Sequence, residues 1–251
     1  MIFKQANIPE SLPLLPVKDA VLFPNMVIPI LVKTEGFVPM LDEVMEKHKM
    51  VVVAMMGDEE KAALEAGNFT RVGTVASLVK MSKGSEGSVV VVQGLYRAVI
   101  TGMISKEPNY LVNIQKIHEE EKTGKRVDAL KSNLIHLFKE VVSLSPYLPD
   151  EILNVVRHIS DPGTLADIIA SYLNIEGQKR QSILESLDVE ERLEKLTVYL
   201  NDELEVNKMG QQIQNQVQKG IDKHQREYYL REQLKAIQKE LGVNEQEPSE
   251  V

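Results

Sequence analysis

Side chains that could carry out a reaction are sparse in this chain of 251 residues. The nearest approach to a phosphate-binding loop, Thr123-Gly124-Lys125-Arg126, lacks the first Gly of GxxxxGK[ST] and the Ser/Thr after Lys, so no nucleotide site is encoded. The five His (His48, His118, His136, His158, His224) stand alone, with no pair at i, i+3 or i, i+4. The chain has no Cys, which excludes disulfides, thiolate nucleophiles and zinc sites built on sulfur. A metal site would need carboxylates gathered over long range. No GxSxG elbow is present, and Ser, His and Asp are scattered without a nominated triad. Asp58-Glu59-Glu60 could supply a carboxylate pair for acid–base work, but a solvated acidic loop is the better reading. The expectation is therefore no catalytic, cofactor-binding or metal-binding residue.

Binding is better supported than reaction. Nine of the ten Met lie at or before Met103. Flexible thioethers such as Met26, Met55, Met56, Met81 and Met103 can re-pack against varied apolar partners or fill a core. Met81 is singled out as a contact for bound peptide because it adjoins the turn Lys83-Gly84-Ser85-Glu86-Gly87. Lys80, Lys83 and Arg97 could make a local phosphate-binding patch, and an RNA-binding module is the alternative reading. Residues 1–118 carry 12 basic and 12 acidic side chains, and aromatics are only 5% of the chain, which weakens that alternative.

The elements that must position these residues come in two kinds. Short β-branched runs at 12–17, 26–32, 50–56, 72–80, 88–92, 96–104 and 110–117 read as strands separated by Gly, Pro, Asn and Ser, with one helix at 38–47. Strands recurring at short intervals imply hairpins closing an antiparallel barrel or sandwich, with Pro13, Pro16 and Pro29 at edges or bulges. Charged, apolar-free 119–126 marks the end of this region.

Beyond it the apolar spacing becomes three and four. Val127, Leu130, Leu134, Leu137, Val141 and Leu144 make one helical face, ended by Ser145-Pro146. Asp150 opens a second helix, and Asp161-Pro162 is an N-cap and N1 pair for a third. Asp188, with Glu191 three residues on, opens a pattern that meets no proline until Pro248. As one helix over 189–241 it would run roughly 80 Å at ~1.5 Å per residue. Its middle is too polar for a globular core, and Gly210 and Gly220 each cost about 1 kcal/mol relative to Ala. A narrow stripe that includes Ile221 and Tyr228, one heptad apart, suits a seam with another helix, and another copy of the chain is the expected partner.

The class is thus α+β: a β-rich domain over 1–118, a helical bundle over 119–187 and a long helix over 188–251. No apolar run approaches the ~18 residues of a membrane span. The first residues lack the pattern of a secretory signal, so a cytoplasmic protein with no membrane partner is expected.

Five collinear segments resemble the N-terminal region of the ATP-dependent protease Lon family. They are LPLLPVKDAVLFPNMVIPILV (12–32), QGLYRAVI (93–100), DPGTLADIIASYL (161–173), ERLEKL (191–196) and QREYYLREQLKAIQKELG (225–242). Asn25 departs from the Gly or His common at that turn, a small change because Asn tolerates positive φ. The resemblance implies a PUA-like β-barrel, then a helical bundle and a long helix leading toward an AAA+ ATPase and a Ser-Lys protease module. No motif of either module is present here, so this chain alone is expected to be no enzyme, with ATP and Mg serving only the absent ATPase. What the resemblance implies is recognition of unfolded, damaged or degron-bearing proteins in protein quality control, and delivery to a hexameric motor. On that reading Met81 and the loop Lys33, Thr34, Glu35 contact substrate. Ile221 and Tyr228 meet neighbouring subunits and narrow the path to the motor.

Overall fold

A computed structural model describes residues 9–33, 36–56, 72–85, 87–105, 110–119 and 122–240. The β-rich part consists of β1 (Ser11–Lys18), β2 (Val27–Val32), helix α1 (Phe37–Glu46), β3 (Met50–Met56), β4 (Val72–Gly84), β5 (Gly87–Ser105) and β6 (Leu111–Lys116). Five of these strands close on themselves in the order β5-β4-β3-β1-β6-β5, and β2 is added to the side of β5. The result is a barrel, with most edges abolished by closure.

One pair departs from the antiparallel expectation. β1 and β3 run parallel, from Leu14↔Val52 to Lys18↔Met56. Parallel neighbours need a long crossover, and β2 with α1 supplies it. β1 also changes partner midway, pairing with β6 over Ser11–Pro13 and with β3 from Leu14. Pro13 and Pro16 therefore sit where each partner covers only part of the strand.

A second departure concerns β5, which continues through 93–95 where two strands were expected. Gly94 is a place of close approach rather than a break. A Cβ there would lie 2.3 Å from the Phe23 carbonyl oxygen. The Gly94 N–H donates to Met26 O at 2.8 Å, and the Asn25 N–H donates to Gly94 O at 2.9 Å. Asn25 turns the chain with φ 64, the left-handed conformation that Asn tolerates. The expected hairpin forms, with Gly84 opposite Gly87.

Alternation along the strands produces two apolar clusters. Leu12, Leu14, Val52, Ala54, Val75, Ala98, Ile100, Val112 and Ile114 draw on all five ring strands. On the other faces, Leu15, Val17, Val51, Val53, Leu78, Val90 and Val92 pack with Phe37, Met40, Leu41 and Val44 of α1. β3 is buried on both faces, which explains its uninterrupted apolar run.

The helical part consists of α2 (Lys125–Leu144), α3 (Ile152–Arg157), α4 (Pro162–Tyr172), α5 (Gly177–Glu185) and α6 (Val189–Glu240). α2 buries Val127, Leu134, Phe138, Val141 and Val142; Leu130, Leu137 and Leu144 flank that stripe half-buried. α3 starts at Ile152, two residues later than expected. α4 begins as its sequence dictates: Asp161 accepts from the Thr164 N–H at 2.6 Å, and Pro162 fills N1. α6 is capped by Asp188 Oδ1, which accepts from the N–H groups of Glu190 and Glu191.

The chain divides into two compact units, Met1–Glu203 and Leu204–Val251. Within the first, α6 buries Val189, Leu193, Leu196 and Leu200. Within the second, α6 continues as helix through Gly210 and Gly220 with almost every described side chain exposed.

Candidate peptide-binding surface

β2 and β5 are apolar on both faces, so burying one face leaves the other exposed. Ile28, Ile30 and Val32 point to the core, while Val27, Pro29 and Leu31 point out, with Val27 53% and Leu31 49% exposed. The register sets Leu31 opposite Val89 and Pro29 opposite Val91. On the far side of β5, Val91 faces Lys80 and Val89 faces Ser82. A bulge between Leu78 and Lys80 leaves Val79 exposed as well. The outer face of β2-β5-β4 thus offers contiguous apolar side chains on rigid strands, of a kind that marks interaction sites. The surface was foreshadowed by the uninterrupted runs at 26–32 and 89–92, whose apolar residues occupy both parities.

Met81 pairs with Val90 and packs half-buried against the α1-side core, on the opposite side of β4 from Lys80 and Ser82. Lys33 is exposed just past β2, while Thr34 and Glu35 lie outside the described residues. Asp58, Glu59 and Glu60 also lie outside them. Lys83 Nζ pairs with Asp42 on α1 at 2.6 Å, an exposed link. Ile221 and Tyr228 are exposed on α6, Tyr228 by 70%. At 100° per residue, Ile221 and Tyr228 lie within about 20° of each other, with Val217 beside them. Leu230, Leu234 and Ile237, also exposed, fall on a face roughly 120° to 180° away, a second stripe absent from the sequence reading.

Arg97 is removed from any phosphate-binding patch, because its side chain is 1% exposed. Its guanidinium donates to both carboxylate oxygens of Asp167 on α4, Nη1 to Oδ2 at 2.7 Å and Nη2 to Oδ1 at 2.5 Å. Nη1 also reaches Glu119 at 2.7 Å, and Nε donates to Leu184 O at 2.9 Å. From α6, the fully buried Arg192 contacts Glu119 at 3.1 Å and Asp167 at 3.4 Å, and its Nε donates to Ser186 O at 2.9 Å. Two guanidiniums and two carboxylates thus join the barrel strand β5 to α4 and the start of α6. Arg97, Arg192 and Lys195 also satisfy carbonyls at the end of α5.

Burial pushes the Asp167 carboxyl up, and Arg97 and Arg192 pull it back. Burial also acts to lower Arg97, but Asp167 and Glu119 outweigh it and hold the guanidinium above its ordinary value. Arg does not deprotonate in proteins, and a neutral acid would leave two guanidiniums poorly compensated, so the geometry supports the ionised pair. Nothing in the spacing of Arg97, Glu119, Asp167 and Arg192 announced this cluster, since its members come from four separate segments.

The architecture defines a class: a β-barrel joined to a helical bundle by buried charge, carrying an exposed apolar strand face. Residues 11–202 match the family described as the ATP-dependent protease La (LON) substrate-binding domain, and the chain belongs to that family. It is 38% identical over 242 residues to a Lon protease of Desulfosudis oleivorans, covering 96% of this chain and 30% of that protein. It is 39% identical over 255 residues to a Lon protease of Syntrophus aciditrophicus, covering 100% of this chain and 32% of the relative. The chain therefore spans about 30% of the length of these relatives. The N-terminal domain of a Mycobacterium avium complex Lon protease superposes with TM-score 0.64 at 23% identity, over 76% of this chain and 98% of the other, which establishes a shared fold. A Lon N-terminal domain protein from Xanthomonas campestris gives TM-score 0.55 at 18% identity, over 75% and 97%. Among the described residues, no helix is long and apolar enough to cross a membrane.

Proposed function

We propose that this chain is the non-catalytic client-recognition and assembly region of a cytoplasmic Lon-type ATP-dependent serine protease. It binds unfolded, damaged or degron-bearing proteins and delivers them to a hexameric AAA+ motor. The carrying observation is the outward apolar face of Val27, Pro29, Leu31 and Val89, exposed beside the half-buried Val91, on strands whose other faces pack against the core. An unfolded segment presents the apolar side chains that a folded protein hides, so contact with this face discriminates the two by the hydrophobic effect alone. Lys33, exposed just past β2, is kept as a candidate contact, as are Thr34 and Glu35; Met81, which packs on the core side of β4, would be a contact separate from this face.

The test is an NMR titration of one client protein held folded and then unfolded. Shifts confined to β2 and β5, seen only with the unfolded client, support the reading. Equal response to both forms, or shifts only in the helical part, would reject it. Assembly is assigned to α6, where Ile221 and Tyr228 meet other copies. Oxidation of a Tyr228→Cys variant should yield inter-subunit disulfides, and purely monomeric product would reject that seam.

A further inference from the structure

Among the described residues, β2 pairs with β5 alone, so its other side carries unpaired backbone groups. The direction of those groups follows from the ladder. Gly94 N–H donates to Met26 O, and the antiparallel register runs on from Val27↔Gln93 to Val32↔Ser88. Hydrogen-bonded pairs recur every second residue in such a ladder. Ile28, Ile30 and Val32 therefore turn their N–H and C=O toward β5, while Val27, Pro29 and Leu31 turn theirs away. The one β2 residue without an N–H is the middle member of the outward set. At Ile28 or Ile30 a proline would delete a bond of the fold; at position 29 it deletes none.

What it deletes is a bond that another chain could have made. Two copies meeting antiparallel across a two-fold axis through position 29 would pair residue 27 with 31, 29 with 29 and 31 with 27. The exposed side chains of Val27 and Leu31 would join those of the partner in one apolar face, the hazard of an unprotected edge strand. With proline at the centre both central hydrogen bonds are lost, and the two rings occupy the space that the facing carbonyls need. We propose that Pro29 is a guard residue: it keeps the apolar face of β2 open to side-chain contact while denying the strand edge to a second copy of this chain. The inference goes beyond client recognition and does not require it.

The test uses the full chain, wild type and Pro29→Val, with Pro29→Ala as a second variant. Mass is read by light scattering across concentration, and amide exchange is read at 27–32. In the wild type, the Val27 and Leu31 amides should exchange much faster than those of Ile28, Ile30 and Val32. Pro29→Val should keep its far-UV circular dichroism, gain mass with concentration and slow exchange at Val27 and Leu31 by about tenfold or more. Contact through α6 would raise the mass of both proteins without protecting those two amides, so exchange separates the routes. A folded Pro29→Val with wild-type mass and unprotected Val27 and Leu31 would overturn the proposal, as would wild-type amides at 27 and 31 already as slow as those at 28 and 30. Should Pro29→Val not fold, Pro29→Ala is judged by the same readings, and the wild-type exchange pattern stands as a test regardless.

Discussion

Replacing Asp167 with Asn keeps the volume of the side chain and removes its charge. Among the described residues, Arg97, 1% exposed, then keeps Glu119 as its one anionic partner, and the fully buried Arg192 is left with Glu119 too. The amide offers one acceptor where two guanidinium N–H groups of Arg97 had two, and its NH2 faces a donor. Breaking a buried pair by removing one partner costs about 3–5 kcal/mol, because the surviving charge stays desolvated. Against a total stability of about 5–15 kcal/mol, that is enough to leave the first compact unit marginal. Urea unfolding should show a lower midpoint for Asp167→Asn at unchanged slope. The double variant Arg97→Met/Asp167→Leu should recover much of the loss, since an apolar pair asks for no compensation. A loss below about 1 kcal/mol in Asp167→Asn, or a double variant as unstable as the sum of the single ones, would refute the account of the cluster as a coupled buried ion network.

Three further expectations follow from the same geometry. Gly94→Ala drives a methyl group into the Phe23 carbonyl and should cost about 2 kcal/mol, read as a fall in Tm of about 4–8 °C; an unchanged melt would mean that the 22–26 turn yields freely. Asp188→Ala removes the α6 cap and should cost about 1 kcal/mol. The Asp188 carboxyl is held below its ordinary value by Lys122 and by the backbone N–H of Glu191. Its folded pKa is depressed, so its contribution is present above the unfolded value near 3.9 and is lost as pH falls through the folded one. The stability gap between wild type and Asp188→Asn should accordingly close on acidification below about pH 4, and a gap that widened there would contradict the sign. Leu31→Asp places a charge on the apolar face and should weaken capture of an unfolded client about tenfold or more, at a cost of about one 1.4 kcal/mol step in binding; unchanged affinity would move the contact elsewhere.

Much of the scaffold was legible because local rules sufficed. Short β-branched runs between turn residues located the strands, Asp161-Pro162 and Asp188 located two helix starts, and Ser145-Pro146 ended α2, since β-propensity, capping and φ restriction act within a few residues. Gly94 was misread as a break because a glycine needed for close approach and one needed for a turn look alike until the opposing backbone is in place. The outer face of β2 and β5 was half legible: runs apolar in both parities announce two apolar faces, but not which face the core will take.

What the sequence alone determined is the family, through long collinear motifs, together with the change from short β-branched runs to apolar spacing of three and four near residue 119. Tertiary structure alone decided three things. It closed five strands into a barrel through a parallel β1–β3 pair. It set which residues of β2 turn their backbone groups toward β5 and which, Pro29 among them, turn away from it. It drew Arg97, Glu119, Asp167 and Arg192, each unremarkable in its own segment, into one buried cluster. Local patterning reflects each residue's own preference over a few positions, whereas pairing, edge and charge compensation depend on which distant segments meet, and that is settled only when the chain has packed.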